Sequence, residues 1–138
     1  MIYKNILLAL AGKDEEKKVI GQAVQLAKDM KAHINVLHVN DSGAGKPHMM
    51  MDAPEKIDEQ DIRDLLRRNG FKKEADNVKV KIEESDHYPD IIAKATQNAD
   101  LLVIGHRPKN KLMALLIDSV DEKVADITKC PILIVPKM

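Results

Sequence analysis

The sequence predicts one soluble α/β domain built on an open, doubly wound parallel sheet of five strands with four helices. Three observations predict this Rossmann-like class. Short apolar runs alternate with amphipathic stretches, the links between most of them are short, and a length of 138 residues suits a single domain. Because strand, helix and strand joined by short links form the βαβ unit, the strands are expected to run parallel. We therefore expect residues 1–138 to be one domain.

The first βαβ unit lies at the start of the chain. Residues 5–11 (NILLALA) and 34–39 (INVLHV) are nearly continuous apolar runs, which is typical of strands buried on both faces. Between them, residues 15–31 place apolar side chains at helical spacing and fill the other face with lysine and glutamine. This order predicts strand 1, the first helix and strand 2.

The middle of the chain predicts a loop, a helix and an edge strand. Residues 40–54 contain glycine and proline without any period, so we expect a mobile loop there. A helix is predicted from about Glu55, with Gly70 as its stop. Residues 78–82 alternate apolar side chains with lysine, which indicates a strand with one solvated side near an edge of the sheet.

The last third of the chain predicts two more helices and two more strands. Pro89 suits the first turn of a helix, and residues 101–104 (LLVI) form a buried strand. Ser119 and Glu122 make a capping box that begins the final helix. Residues 132–135 (ILIV) are the fifth strand, so strands and helices alternate as a doubly wound sheet requires.

Composition excludes several classes of function. The 22 Lys and Arg balance the 22 Asp and Glu, so no net charge draws the chain to nucleic acid or to an anionic membrane. With only three aromatic side chains, there is no platform on which bases of a single strand could stack. The apolar runs are too short to span a bilayer. We see no signal peptide, and the single cysteine suits a reducing compartment, so we expect a cytoplasmic protein.

A ligand site is expected at the carboxyl ends of the strands. In doubly wound sheets, ligands bind outside these ends, where the strand order reverses. Three segments reach this edge, namely residues 10–12 after strand 1, residues 39–41 after strand 2 and residues 105–119 after strand 4. We therefore expect the binding residues to lie in these three segments.

Four segments give the chain a resemblance to the universal stress protein family. They are YKNILLAL at 3–10, LHV at 37–39, DLLVIGHR at 100–107 and CPILIVP at 130–136. The resemblance implies a five-stranded α/β domain. It also implies a homodimer that pairs through the last strand, here residues 132–135. One branch of the family binds ATP and another does not.

The loop after Gly105 departs from the ATP-binding branch, which carries G-x-x-G-(x)9-G-[S/T] after strand 4. On this sequence the three glycine positions hold Gly105, Pro108 and Asp118, and the hydroxyl is Ser119. Proline lacks the N–H that a phosphate cradle uses. Asp118 adds a carboxylate, and a carboxylate about 6 Å from a phosphate repels it by roughly 3 kcal/mol at an effective dielectric of 20. The backbone cradle is therefore expected to be lost.

Other parts of the implied nucleotide groove are replaced or retained. The branch's aspartate after strand 1 corresponds to Ala11, whereas Val39 keeps a residue type that packs against adenine. Cationic side chains after Gly105 offer an anion a different geometry. The candidate groove therefore comprises Ala11, Val39, Gly105, His106, Arg107, Lys109, Ser119 and Val120.

Several residues admit a structural interpretation beside a functional one. Ser119 would contact phosphate by resemblance, but its capping box accounts for it locally. His48 with the methionines at 49–51 suggests a soft-metal site, against which stands a loop with apolar docking residues. Cys130 is either a redox thiol or, as we expect, a small packing residue. His38 lies within a strand and is expected to be packed.

Two hypotheses of function follow. The first is a regulatory binding module of the stress response, a homodimer without a complete ATP cradle that acts through protein partners. The second is an ATP- or AMP-binding protein whose phosphate loop is rebuilt around Arg107, Lys109 and Ser119, with slow hydrolysis. Neither hypothesis includes a built-in catalytic group, a metal or a required cofactor.

Overall fold

The computed structural model describes residues 3–12, 14–42, 56–106 and 128–137. Its centre is a five-stranded sheet in which every pair of neighbours is parallel, in the order β3-β2-β1-β4-β5. The strands are β1 (Asn5–Ala9), β2 (His33–Asn40), β3 (Lys79–Glu84), β4 (Leu101–His106) and β5 (Ile132–Pro136). The predicted open, doubly wound α/β sheet is confirmed, and β3 lies at an edge as its alternating pattern indicated.

Four α-helices are described along with two short 3₁₀ turns. The helices are α1 (Lys17–Met30), α2 (Glu59–Arg68), α3 (Lys72–Asn77) and α4 (Tyr88–Ala95), and the 3₁₀ turns are Asp14–Glu16 and Thr96–Asn98. Three of these helices were predicted. The final predicted helix, beginning at Ser119, lies outside the described residues, as does most of the 40–54 loop.

The second helix begins later than the sequence pattern indicated, because its start is set by a capping box. The Asp58 carboxylate accepts the Asp61 N–H at 2.8 Å, and the Asp61 carboxylate accepts the Asp58 N–H at 2.9 Å. These two bonds fix the first turn at Glu59, so the predicted start near Glu55 was wrong. Gly70, with φ of +93°, follows the helix end and confirms the predicted stop.

The core forms two layers, one on each face of the sheet. On one face, α1 and α2 cover strand residues that include Ile6, Leu8 and Val103. On the other face, Leu102 packs with neighbouring strand residues and with Ile92 of α4. Because both faces are covered, the central strands are continuous apolar runs. None of the described helices is long and apolar enough to cross a membrane.

Asp100 joins the starts of β1 and β4. One oxygen, Oδ2, accepts the N–H groups of Lys4 and Asn5, each at 2.8 Å. The hydrogen bond from the Lys4 N–H, which has the larger effect, and the one from the Asn5 N–H lower the pKa of the Asp100 carboxyl from its usual value. Hydrogen bonds to the ionised form therefore stabilise the folded state only while the carboxyl is ionised.

Asp100→Ala is expected to lower stability at neutral pH, and the loss should fade in acid. The pKa of Asp100 in the folded state lies below its value of about 3.9 in the unfolded state. The stability that the carboxylate contributes is therefore complete above the unfolded pKa and is lost as pH falls through the folded pKa. Urea unfolding from neutral to acid pH measures this. Asp100→Asn keeps an oxygen that accepts both N–H groups, so it should retain more stability than alanine. A loss from Asp100→Ala that is independent of pH would contradict the assignment.

Candidate functional site

A cavity of about 310 Å³ opens at the carboxyl ends of β1, β2 and β4. The strand order reverses here, since the chain passes outward from β1 to β3 on one side and from β4 to β5 on the other. The cavity is lined by Ala9, Leu10, Ala11, Glu16, Leu37, His38, Val39, Tyr88, Ile92, Ile104, Gly105 and Lys137. Its position is the one at which doubly wound sheets bind ligands. Its volume lies near the lower end of the range for small-molecule sites.

His38 forms part of the cavity wall and is buried. Its Nδ1 lies 2.7 Å from the Leu10 carbonyl oxygen, and its Nε2 lies 3.0 Å from Asn40 Oδ1. The Asn40 amide is oriented by Ile57, whose carbonyl accepts from Nδ2 and whose N–H donates to Oδ1. Both ring nitrogens therefore face acceptors. A neutral imidazole donates to one of them and an imidazolium donates to both. The expectation that His38 is packed agrees with this geometry.

Glu16 places a buried carboxylate at the end of β1. The residue is 1% exposed, and its two oxygens accept the N–H groups of Ala11 at 2.7 Å and Gly12 at 3.0 Å. Lys137 Nζ lies 3.3 Å from Oε1 and neutralises the charge. A buried carboxylate needs such partners, because an unpaired one is costly. The loop after β1 therefore binds an anion that belongs to the protein itself.

Two glycines allow the backbone to approach closely here. Gly12 has φ of +85°, and a Cβ there would lie 3.2 Å from Ile57 Cγ1. Gly105 is tighter, since a Cβ would lie 2.8 Å from Val19 Cγ2 and would overlap Lys137 Cε. Close packing against α1 and the C-terminal segment thus accounts for glycine at the end of β4.

The structure brings together three of the eight candidate groove residues. Ala11, Val39 and Gly105 line the cavity. His106 ends β4 and its carbonyl accepts the Lys137 N–H at 2.8 Å, but its side chain does not line the cavity. The other four candidates, Arg107, Lys109, Ser119 and Val120, lie outside the described residues, as do Pro108 and Asp118.

Sequence reasoning missed several residues of the cavity. Glu16 and Lys137 form the ion pair, while Tyr88 and Ile92 reach the cavity from α4. An acidic residue just before a helix is a common N-terminal feature, so Glu16 carried a signal of helix structure but none of a site. Lys137 carried no signal, because its contact depends on where β5 ends beside β4.

Cys130 has the surroundings of the small packing residue that the sequence predicts. Cys130 packs against the second core layer, and burial, assisted by the Asp100 carboxylate, raises the pKa of its thiol. A thiol kept protonated is a poor nucleophile, which agrees with a packing role. In the described ranges, no three His, Cys, Asp or Glu side chains lie close enough to share a metal. His48 and its neighbouring methionines fall outside those ranges.

A doubly wound parallel sheet with a cavity at its strand-order reversal defines a protein of the Rossmann-like α/β class. The chain belongs to the universal stress protein family, whose family model matches residues 2–136. The family resemblance in the sequence is thereby confirmed.

Curated relatives match the chain along nearly its whole length. Universal stress protein YxiE of Bacillus subtilis is 29% identical over 150 residues, which cover 97% of this chain and 99% of the relative. A universal stress protein of Staphylococcus aureus strain USA300 is 30% identical over 140 residues, covering 96% and 84%.

Solved structures share the fold at lower identity. A universal stress protein in complex with cAMP superposes with a TM-score of 0.66 at 20% identity, and the match covers 100% of both chains. UspA from Lactobacillus plantarum gives 0.62 at 20% identity, covering 98% of this chain and 99% of that one. The protein from Archaeoglobus fulgidus in complex with dAMP gives 0.55 at 18% identity, with the same coverage. At these identities the likeness shows the fold alone.

Proposed function

We propose that this chain is a one-domain regulatory module of the stress response that binds an adenine nucleoside or nucleoside monophosphate. The observation that carries the proposal is the cavity where the strand order reverses. Its wall is mostly apolar and includes Leu37, Val39 and Ile104, which suits the faces of a purine. The cavity is small, which favours a nucleoside over a long phosphate chain. Two neighbours of the same fold hold cAMP and dAMP, which are monophosphates.

The ligand signals by binding and is not turned over. No group among the described cavity residues is arranged as a nucleophile with its base, because the Glu16 carboxylate is taken up by two N–H groups and Lys137. Regulation then passes to protein partners through the ligand-bound surface. A cytoplasmic location accords with a single cysteine that packs in the core.

Thermal unfolding during titration with adenosine, AMP, cAMP and ATP, with and without magnesium, tests the ligand class. A specific ligand at about 100 times its dissociation constant adds about 2.7 kcal/mol to the free energy of unfolding. Val39→Phe should abolish the shift, because the larger side chain grows into the cavity. Val78→Phe is the matched control, since it makes the same change beside a groove at the amino ends of the strands.

Each outcome of the titration selects one function. A shift with AMP or adenosine that Val39→Phe removes supports the proposal. No shift with any nucleotide at millimolar concentration contradicts it and leaves a module that acts through protein partners alone. A shift confined to ATP and lost in Arg107→Ala selects the alternative of a rebuilt phosphate loop.

The module is proposed to be a homodimer that pairs through β5. This strand has β4 on one side and no strand on the other among the described residues. Ile134 on β5 is 45% exposed, and only Tyr88 is comparable among the large apolar side chains described. An apolar edge strand left open is prone to pairing with another chain.

Ile134→Lys is expected to convert the dimer to a monomer. The substitution places a charge in the proposed interface, where removing it from water on pairing is costly. Light scattering at micromolar concentration measures the mass of both proteins. Tyr88→Lys removes the other exposed large apolar side chain and should leave the dimer intact. A wild-type monomer, or a dimer that survives Ile134→Lys, would contradict the interface.

A further inference from the structure

Two backbone N–H groups in the loop after β1 converge beside the cavity. The N–H of Ala11 and the N–H of Gly12 both point at the Glu16 carboxylate, at 2.7 and 3.0 Å. Successive N–H groups that converge in this way form a concave receptor for an anion. In this chain the Glu16 side chain itself occupies the receptor.

The carboxylate in this receptor is fixed and its charge is compensated. Glu16 is 1% exposed, and Lys137 Nζ lies 3.3 Å from its Oε1 on a side chain that is 15% exposed. The Lys137 backbone N–H donates to the His106 carbonyl at 2.8 Å, which fixes the lysine beside the end of β4. The ion pair therefore lies between the loop after β1 and the end of β4. Both Glu16 and Lys137 line the cavity.

We propose that Glu16 is a built-in anion that fills the cavity's own anion receptor, so that the site selects nucleosides and rejects nucleoside polyphosphates. A phosphate chain entering the cavity finds the two N–H groups taken and the lysine paired, so no partner in the receptor replaces the water that the phosphate gives up. A nucleoside finds the same apolar wall and needs no anion receptor, since a neutral ribose and base carry no charge. The selection rests on the proposed function, because it presumes that the cavity holds the nucleoside.

Two variants of Glu16 test the selection. Glu16→Gln keeps the volume and one acceptor oxygen but removes the charge, which leaves one N–H and Lys137 free for a phosphate. Glu16→Ala frees both N–H groups, and the cavity is large enough for water to hydrate them. Glu15→Gln is the matched control, because it removes the same charge from an exposed side chain one residue earlier.

Calorimetry with adenosine, ATP and inorganic pyrophosphate gives the affinities, and the ¹⁵N shift of the Gly12 amide reports the receptor itself. Wild-type protein should bind adenosine about tenfold or more tightly than ATP. Glu16→Gln should bind ATP about tenfold more tightly than wild type, with adenosine affinity unchanged. Pyrophosphate should move the Gly12 amide in Glu16→Ala and leave it in place in wild type and in Glu15→Gln.

The outcomes separate this proposal from the ligand class on which it rests. If wild type binds ATP more tightly than adenosine, the proposed selection is overturned. This result is measured on wild-type protein, so it does not depend on whether any variant folds. Equal pyrophosphate binding by wild type and both Glu16 variants also overturns it. If adenosine binds none of the proteins but pyrophosphate binds the two Glu16 variants and not wild type, the built-in anion is supported and the nucleoside function fails.

Discussion

Gly105→Ala is expected to lower the free energy of unfolding by about 1–3 kcal/mol, because the end of β4 has no room for a methyl group. The new Cβ would lie 2.8 Å from Val19 Cγ2 and would overlap Lys137 Cε. Lys137 can shift, since its side chain is long, but Val19 of α1 is fully buried in the core. In a domain of this size the thermal midpoint should fall by roughly 4–12 °C.

Gly21→Ala is the matched control for this prediction. It makes the same chemical change within α1, where a Cβ would meet Phe71 Cζ at 3.7 Å, an ordinary contact. Alanine has the better helix propensity, so the variant should be neutral or more stable by up to about 1 kcal/mol. Differential scanning calorimetry compares the two. Equal losses of stability from the two substitutions would show that the close approach at Gly105 is not the cause of the loss in Gly105→Ala.

Leu102→Ala is expected to cost about 2–5 kcal/mol, the largest loss from any single substitution considered for this fold. Leu102 is fully buried at the centre of the second core layer, on a strand flanked by β1 and β5. Removing its side chain leaves a cavity that surrounding strands cannot collapse to fill. Urea unfolding should show a lower midpoint with an unchanged slope, since the surface exposed on unfolding stays the same.

Leu26→Ala is the matched control for the loss of stability in Leu102→Ala. The change is chemically identical, but Leu26 on α1 is only partly buried and solvent can take the vacated space. Its cost should be well under half that of Leu102→Ala. Similar losses at the two positions would indicate that leucine in the central strand contributes no more than leucine at the rim of the core.

The sheet was predictable from sequence because burial dictates it. The run at 101–104 is apolar at every position since β4 is covered on both faces, whereas Lys79 and Lys81 alternate with apolar residues because β3 lies at the edge. Helix α3 was not predictable in this way. It is short and polar, buries only Ala75, and is held by Arg63, whose Nη1 donates to the carbonyls of Ala75 and Val78.

The position of the cavity was predictable from the sequence, but the chemistry of its lining was not. The rule that ligands bind at strand ends located Ala11, Val39 and Gly105 at the cavity. The pairing of Glu16 with Lys137 joins residues from opposite ends of the chain, and no local pattern encodes such a contact. Gly105 illustrates the difference, because its sequence context suggests a phosphate loop while its surroundings show a packing constraint from Val19.

The central position of β1 has a consequence during synthesis of the chain. β1 pairs with β2, which follows soon after it, and with β4, which begins at Leu101. The bond between Asn5 and Asp100 joins residues 95 positions apart. At roughly 5–20 residues per second, one apolar edge of β1 waits about 5–20 s on the ribosome for its second neighbour. Slower translation lengthens that wait and, with it, the time in which the nascent edge can pair with another chain.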